Sequence, residues 1–276
     1  MDPVIFQIGS FRLQYYGLMY LIAFAVTYYL VLYRIRTEKR FDVSRDQVDG
    51  LTTAMIIGVI AGGRLGYVVF YNLGYYFSHP WEIVLPFDFS NGLRFVGISG
   101  MSYHGGLIGV ILATVIFTRR HHIDFREAMD LYGPAVPLGY TFGRIGNFIN
   151  GELYGRITQS PIGMYFPSAS EKALRHPSQL YEAFFEGLFL FGLLWTFRKR
   201  VVTKGAMLAF YLMGYGLVRF GIEFFREPDA HIGYGFLGMT RGQWLCGAMT
   251  AAGLLIYAGL RLKGRRNRGE PASARS

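Results

Sequence analysis

Cysteine is almost missing from this sequence: Cys246 is the only one among 276 residues. One cysteine excludes an intrachain disulfide and a cysteine-based metal site. Charge is scarce too. Asp, Glu, Lys and Arg make up 17% of the chain, against about 25% in a soluble domain. No basic segment precedes the first apolar run, so that run is expected to be a retained helix and not a cleaved leader. No long internal repeat is visible. The apolar runs also lack an HExxH motif, an intramembrane Asp pair and a clear Ser–His arrangement, which speaks against an intramembrane protease.

What fills the chain is apolar: 52% of residues are hydrophobic and 17% aromatic. The apolar runs are continuous and do not alternate, which disfavours a β-barrel. The pattern predicts an all-α polytopic membrane bundle of about seven transmembrane helices. The spans read as 16–33, 50–71, 96–118, 128–149, 179–197, 205–225 and 243–260. Each is close to the ~20 residues that cross ~30 Å of hydrocarbon.

The net charge of +10 does not call for nucleic acid, because the bases sit in short loops beside apolar spans. The clusters RIRTEKR (34–40), RRHH (119–122), RKRVVTK (198–204) and RLKGRRNR (261–268) fall on one side if there are seven spans. The positive-inside rule makes that side the cytoplasm, with the N-terminus periplasmic and the C-terminus cytoplasmic. Residues 1–262 then form a single transmembrane domain. It includes an aromatic interfacial segment at 72–95 and a periplasmic loop at 150–178. Residues 263–276 are expected to be a disordered basic cytoplasmic tail.

Polar and charged groups inside spans are costly, and by default they suggest function. Here they are Arg64, His104, Arg144, Asn147, Glu182, Arg219 and Glu223. Counted from the cytoplasmic end of each span at about 1.5 Å per residue, Arg64, His104, Arg144, Glu182 and Arg219 all rise roughly 21–24 Å. Tyr20 reaches about the same level. Six spans thus bring polar groups to one layer in the outer half of the membrane.

Plainer readings stand beside this one. An arginine near a helix end snorkels to phosphates, a buried histidine can be structural, and Glu182 and Glu186 can be simple partners of arginines. The glycines of GGRLG (62–66) and HGGLIG (104–109) suit close helix packing. Taken together, though, several arginines at one level suit an anionic group, since guanidinium binds phosphate through paired hydrogen bonds. Tyr215, Arg219 and Glu223 share one helix face, with Glu223 placed to orient Arg219. His104 can exchange a proton near neutral pH, and Gly105-Gly106 beside it leave room for a ligand to approach the backbone. Asn147, Asn150 and Glu152 lie at the outer mouth of span 4. Together these residues describe a lipid head-group site without naming a reaction.

The motifs YHGGLIG (103–109), GRIGNFINGELYG (143–155) and HPSQLYE (176–182) resemble the family of bacterial phosphatidylglycerol–prolipoprotein diacylglyceryl transferases. So do YYGLMY (15–20), GGRLGYVVFYN (62–72) and RFGIEFFREPD (219–229). The resemblance runs from about residue 4 to about residue 260. It implies a seven-helix inner-membrane enzyme whose partners are phosphatidylglycerol, preprolipoprotein signal peptides with a lipobox cysteine, and membrane lipids. The implied reaction moves the diacylglyceryl group onto the cysteine thiol, forming a thioether and releasing glycerol phosphate, as the first step of lipoprotein modification. The positions that match are Tyr20, His104, Arg144, Asn147, Glu152, Gly155, Tyr215, Arg219 and Glu223.

On that basis Arg144 and Arg219 are the candidates for the phosphate, His104 for the base that activates the thiol, and Tyr20, Asn147 and Tyr215 for positioning the head group. Arg64, Glu152, Gly155 and Glu223 complete the expected substrate-binding set. No metal and no cofactor is expected. The competing reading is a transporter or flippase for an anionic lipid or solute. It would favour inverted repeats and polar groups through the full membrane thickness.

Overall fold

The computed structural model describes residues 3–8, 11–84, 87–88, 94–95, 100–201, 203–227 and 238–269. It is built mainly of helices: α1 Tyr15–Thr37, α2 Arg45–Tyr71, α3 Leu73–Ser78, α4 Tyr103–Arg120, α5 Phe125–Tyr132 and α6 Val136–Asn150. Next come α7 Ser178–Tyr181, a π-helical stretch Glu182–Phe189 and α8 Leu190–Phe197, which run on as one helix, then α9 Ala206–Ile222 and α10 Arg241–Gly269. Two small sheets pair β1 (Val4–Ile8) with β2 (Phe11–Gln14), and β3 (Phe87–Asp88) with β4 (Arg94–Phe95).

Among the described residues, four helices are long and apolar enough to cross a membrane: Tyr15–Thr37, Arg45–Tyr71, Ser178–Phe197 and Arg241–Gly264. Helices α4, α6 and α9 stand at the other three predicted spans, with 18, 15 and 17 residues. Two boundaries differ from the sequence expectation for identifiable reasons. The third span was placed from residue 96, but α4 starts at Tyr103, where the Ser102 hydroxyl caps it by accepting from the Gly105 N–H at 3.3 Å. The fourth span, read as unbroken over 128–149, is split by a turn at 133–135. Proline in the sequence Gly133-Pro134-Ala135-Val136-Pro137 interrupts the helical hydrogen bonding, and Pro137 lies in the first turn of α6, where the missing N–H costs nothing.

At the other end of the chain, α10 continues past Leu262 to Gly269. Arg261, Leu262 and Lys263 are good helix formers, so the helix runs on past the apolar stretch. Residues 270–276 of the expected tail lie outside the described residues. So do most of 85–95 in the interfacial segment, 96–99 at the start of the expected third span, and 228–237 between α9 and α10.

The chain forms two compact units. One comprises Met1–Pro3, Gln14–Arg34 and Met129–Ser276, and the other Val4–Leu13 and Ile35–Ala128. In the second unit α2 and α4 pack through glycines. A Cβ on Gly62 would come 2.7 Å from Gly109 Cα, one on Gly66 2.7 Å from Gly105 Cα, and one on Gly105 2.8 Å from Gly66 Cα. The two glycine motifs are therefore a backbone-to-backbone seam. The space beside Gly105, expected to admit a ligand, is filled by α2. The seam also fixes the entry to α4, because the Ser102 N–H donates to the Gly63 carbonyl at 2.8 Å.

In the first unit, α9 is set at its start by an acid from another helix. Asp130 accepts from the N–H groups of Gly205 and Met207 at 2.6 and 2.9 Å. The fully buried Arg34 donates to the carbonyls of Asp130 and Leu131. Leu190, Leu194 and Met207 form a buried core next to it, with Phe210, Tyr211 and Tyr215 packed around. Helix α6 lies against α1: a Cβ on Gly139 would stand 3.0 Å from the Ala23 carbonyl, and one on Gly146 3.3 Å from Met19 Cβ.

The α2–α4 seam predicts that Gly62→Val overpacks and lowers stability by about 1–3 kcal/mol. Gly247→Ala is the control, since nothing lies within 4 Å of its Cβ position. Thermal unfolding in detergent should show a lower midpoint for the first variant and an unchanged or higher one for the second.

Candidate functional site

Helix α6 carries Tyr140, Arg144 and Asn147 at i, i+4 and i+7, so they share one face. The helix closes at Gly151, which adopts a left-handed conformation (φ +68°) and donates to the Asn147 and Phe148 carbonyls. The chain can then double back, and Glu152 comes within reach of the same face. Its Oε1 accepts from Asn147 Nδ2 at 2.7 Å and from Asn150 Nδ2 at 3.5 Å. Its carbonyl accepts from Gln179 Nε2 at 2.6 Å.

Across from α6 stands the π-helical stretch. Thr141 binds the Ala183 carbonyl at 3.2 Å, and Gly187 allows α6 to approach closely at Thr141. Glu182 and Glu186 project from this stretch and are 0% and 1% exposed. Buried carboxylates need partners, and here they have several. Glu182 pairs with Arg144 at 2.7 Å, Arg219 at 3.3 Å and Arg226 at 3.4 Å. Glu186 pairs with Arg219 at 3.4 Å and accepts from the Tyr140 hydroxyl at 2.6 Å. That hydroxyl in turn accepts from Arg144 Nε at 2.7 Å.

Helix α9 supplies Tyr215 and Arg219, and Glu223 follows at its C-cap. Arg219 is held by Glu223 one turn on, at 2.9 Å. Glu223 also accepts from the Thr240 hydroxyl at 3.1 Å. Thr240 and Gln243 exchange side-chain and backbone hydrogen bonds and cap the start of α10. The Tyr215 ring meets the Tyr140 ring edge-on, with centroids 6.1 Å apart.

The cluster formally balances three guanidinium groups, Arg144, Arg219 and Arg226, against three carboxylates, Glu182, Glu186 and Glu223. It is not sealed: 14% of the Arg144 side chain and 13% of the Arg219 side chain remain exposed. Arg144 Nε faces Glu182 and Tyr140, and its Nη1 donates to Asn147 Oδ1 at 3.3 Å. Its Nη2 has no acceptor among the described residues. Arg144 is thus oriented by its partners and left partly exposed.

Gly155 is explained by packing. It donates to the His176 carbonyl at 2.8 Å and pairs with Arg226, and a Cβ would lie 2.9 Å from the His176 carbonyl oxygen. Arg156 Nε adds a hydrogen bond to the Arg226 carbonyl at 2.7 Å. The loop thus holds the backbone of Arg226 while the Arg226 side chain reaches Glu182.

Of the residues selected from sequence, the first unit brings together Arg144, Asn147, Glu152, Tyr215, Arg219 and Glu223, with Gly155 behind them. Tyr20 joins through Tyr16, whose hydroxyl donates to it at 3.0 Å and which also interacts with Asn147. Arg64 and His104 belong to the second unit. Arg64 donates to the carbonyls of Glu82 and Ile83 and lies over the Tyr76 ring at 4.9 Å. His104 is exposed in the first turn of α4, and its ring stands edge-on to Tyr103. Its imidazole has no hydrogen-bond partner among the described residues.

Sequence reasoning missed Tyr140 and Arg226. The signal for Tyr140 was its position one helical turn before Arg144. The signal for Arg226 was a further basic residue at the end of the RFGIEFFREPD motif.

Comparison with known proteins bears on this arrangement. Residues 3–258 match the family model described as prolipoprotein diacylglyceryl transferase. A relative from Chlorobaculum tepidum is 56% identical over 257 residues, covering 93% of this chain and 89% of its own. One from Bordetella avium is 45% identical over 270 residues, covering 98% and 97%. One from Wolinella succinogenes is 45% identical over 266 residues, covering 96% and 95%. All three relatives are named phosphatidylglycerol–prolipoprotein diacylglyceryl transferase.

The buried carboxylates predict a ranked loss of stability. Glu182→Gln strips a charge that faces three arginines and should cost about 3–5 kcal/mol. Arg45→Gln, in a pair with Asp49 whose side chains are 64% and 44% exposed, should cost no more than about 1 kcal/mol. Unfolding midpoints of the two variants in the same detergent check the order.

Proposed function

The chain belongs to the prolipoprotein diacylglyceryl transferase family, and from that premise we propose that it transfers the diacylglyceryl group of phosphatidylglycerol to a prolipoprotein. The acceptor is the thiol of the lipobox cysteine in the signal peptide. Thiolate sulfur attacks the glycerol carbon that bears the phosphate. A C–S bond forms, the C–O bond breaks with its electron pair going to the phosphate oxygen, and glycerol phosphate leaves. The observation that carries this reading is the pair of largely buried yet accessible guanidinium groups, Arg144 and Arg219, held in place by carboxylates within motifs matching the family.

The chemistry explains why such a pair is useful. Charge grows on the phosphate as the C–O bond breaks, and donors fixed in advance stabilise that change without reorganising. A donor of this kind contributes about 3–4 kcal/mol to lowering the barrier. Glu182, Glu186 and Glu223 orient the two forks, and Asn147, Tyr20 and Tyr215 position the head group. Glu152 holds Asn147, and Gly155 seats the loop behind Arg226. An ordinary thiol is only a few per cent ionised at neutral pH, so a base is needed, and His104 is the proposed one. Arg64 is proposed to stand at the head-group level of the second unit.

In the proposed topology α1, α2, α4, α6, the helix from Ser178 to Phe197, α9 and α10 all span the bacterial inner membrane. The N-terminus is periplasmic, the C-terminus cytoplasmic, and the seven spans act as one catalytic domain. The four basic clusters support this orientation.

Purified protein incubated with phosphatidylglycerol and a lipobox peptide should add one diacylglyceryl unit to the peptide cysteine, read by mass. Lipid scrambling without the adduct would overturn the assignment. Arg144→Lys should lose most turnover, because a point charge does not replace the planar fork. His104→Gln and His104→Asn should lose turnover and alter its pH profile. Wild-type rate and profile in both would remove the base role.

A further inference from the structure

We propose that Tyr140 is a positioning residue for this transfer: its hydroxyl closes a ring of side chains that fixes the spacing of Arg144 and Arg219. The inference rests on the phosphate role proposed for those arginines.

A phenol hydroxyl has one proton to donate and two lone pairs to accept with. The distances say how Tyr140 uses them. Its oxygen is 2.6 Å from Glu186 Oε2 and 3.3 Å from Glu182 Oε2, so the proton is directed to Glu186. Arg144 Nε donates to the same oxygen at 2.7 Å. Tyr140 therefore links Arg144 to Glu186, and Glu186 pairs with Arg219 at 3.4 Å. A second route between the two arginines passes through Glu182, at 2.7 Å from Arg144 and 3.3 Å from Arg219. The two routes together make a closed circuit in which each guanidinium is held from two directions.

The phenol ring is held as well. The Arg144 guanidinium carbon lies over it, 4.8 Å from the centroid. Rotation of Tyr140 would break the stacking and the hydrogen bonds at once. Without the hydroxyl, Glu182 alone would bridge the two arginines, and their spacing would rest on that single bridge. Small displacements of this kind cost rate out of proportion to their size.

Tyr140→Phe keeps the ring and removes only the oxygen. Turnover should fall about tenfold to a hundredfold, the range for a hydrogen bond to a charged group. The KM for phosphatidylglycerol should change less than turnover, since orientation in the transition state is what is lost. Glu186→Gln opens the circuit at the next link and should show the same split, which also serves if Tyr140→Phe fails to accumulate in membranes. The double variant should be no slower than the slower single one, because both open one circuit. A lower unfolding midpoint with unchanged turnover per folded molecule would overturn the proposal, as would independent, multiplying losses in the double variant. If Arg144→Lys is impaired while Tyr140→Phe turns over normally, only this inference fails. If Arg144→Lys is itself normal, the phosphate role fails first.

Discussion

A guanidinium group removed from water demands a carboxylate, and a carboxylate so removed demands a cation. Each ion loses several kcal/mol of solvation, and removing one partner from a buried pair costs about 3–5 kcal/mol. In this chain the demand is met from helix α6, from the π-helical stretch, and from the end of α9 with the segment that directly follows it. Helix α6 brings Arg144, the π-helical stretch brings Glu182 and Glu186, α9 brings Arg219 with Glu223, and the segment after α9 brings Arg226. The two carboxylates of the π-helical stretch are buried together and depend on these partners. The cluster therefore fixes which faces of the helices meet, in a way that apolar contacts among Leu, Phe and Met do not.

Around that constraint the remaining polar contacts act as alignment devices. Asp130 caps the start of α9, and Glu223, near its other end, ties it to the capping residues of α10. The axial position of Arg219 is thus set from both ends of its helix. The 150–178 loop holds the backbone at Phe225 and Arg226 through Gly155 and Arg156. The π winding has its own consequence. A wider turn is less favourable than an α-turn and recurs at functional sites. Here it occupies the stretch that presents both buried carboxylates, next to the close approach of Gly187 to Thr141.

Much of this was legible in the sequence because the physics is one-dimensional. Apolar runs mark helices, and a charge inside such a run marks a site. Arg144, Asn147, Arg219 and Glu223 followed from that rule, and Glu182 was recognised as a partner of an arginine. The glycine motifs carried two readings, and only the packing of α2 on α4 chose between them. Periodicity does not say which neighbour a glycine faces. Tyr140 was hidden because tyrosine is common in apolar spans, and its role depends on a carboxylate 46 residues away. The break at Pro134 was hidden in a different way. A hydropathy run treats 128–149 as continuous, whereas the missing N–H and ring of proline act on the backbone and not on hydropathy.

The balance of charge in the cluster sharpens what its arginines can do. Three carboxylates beside three guanidinium groups cancel the net positive charge that the proposed phosphate site would otherwise carry. A guanidinium, however, has five N–H donors in a fixed fork, and a carboxylate engages it along one edge. Arg144 illustrates the division. Its Nε faces Glu182 and Tyr140, its Nη1 faces Asn147, and its Nη2 faces no acceptor among the described residues. The carboxylates reduce the net field but fix the direction of the donors that remain. For a group that must be held loosely enough to leave, directed hydrogen bonds are worth more than raw attraction, since tight ground-state binding raises no rate. A site of unpaired arginines would bind any anion and hold it. On the proposed phosphate role, a neutralised but oriented one favours the state in which charge on the phosphate is greatest.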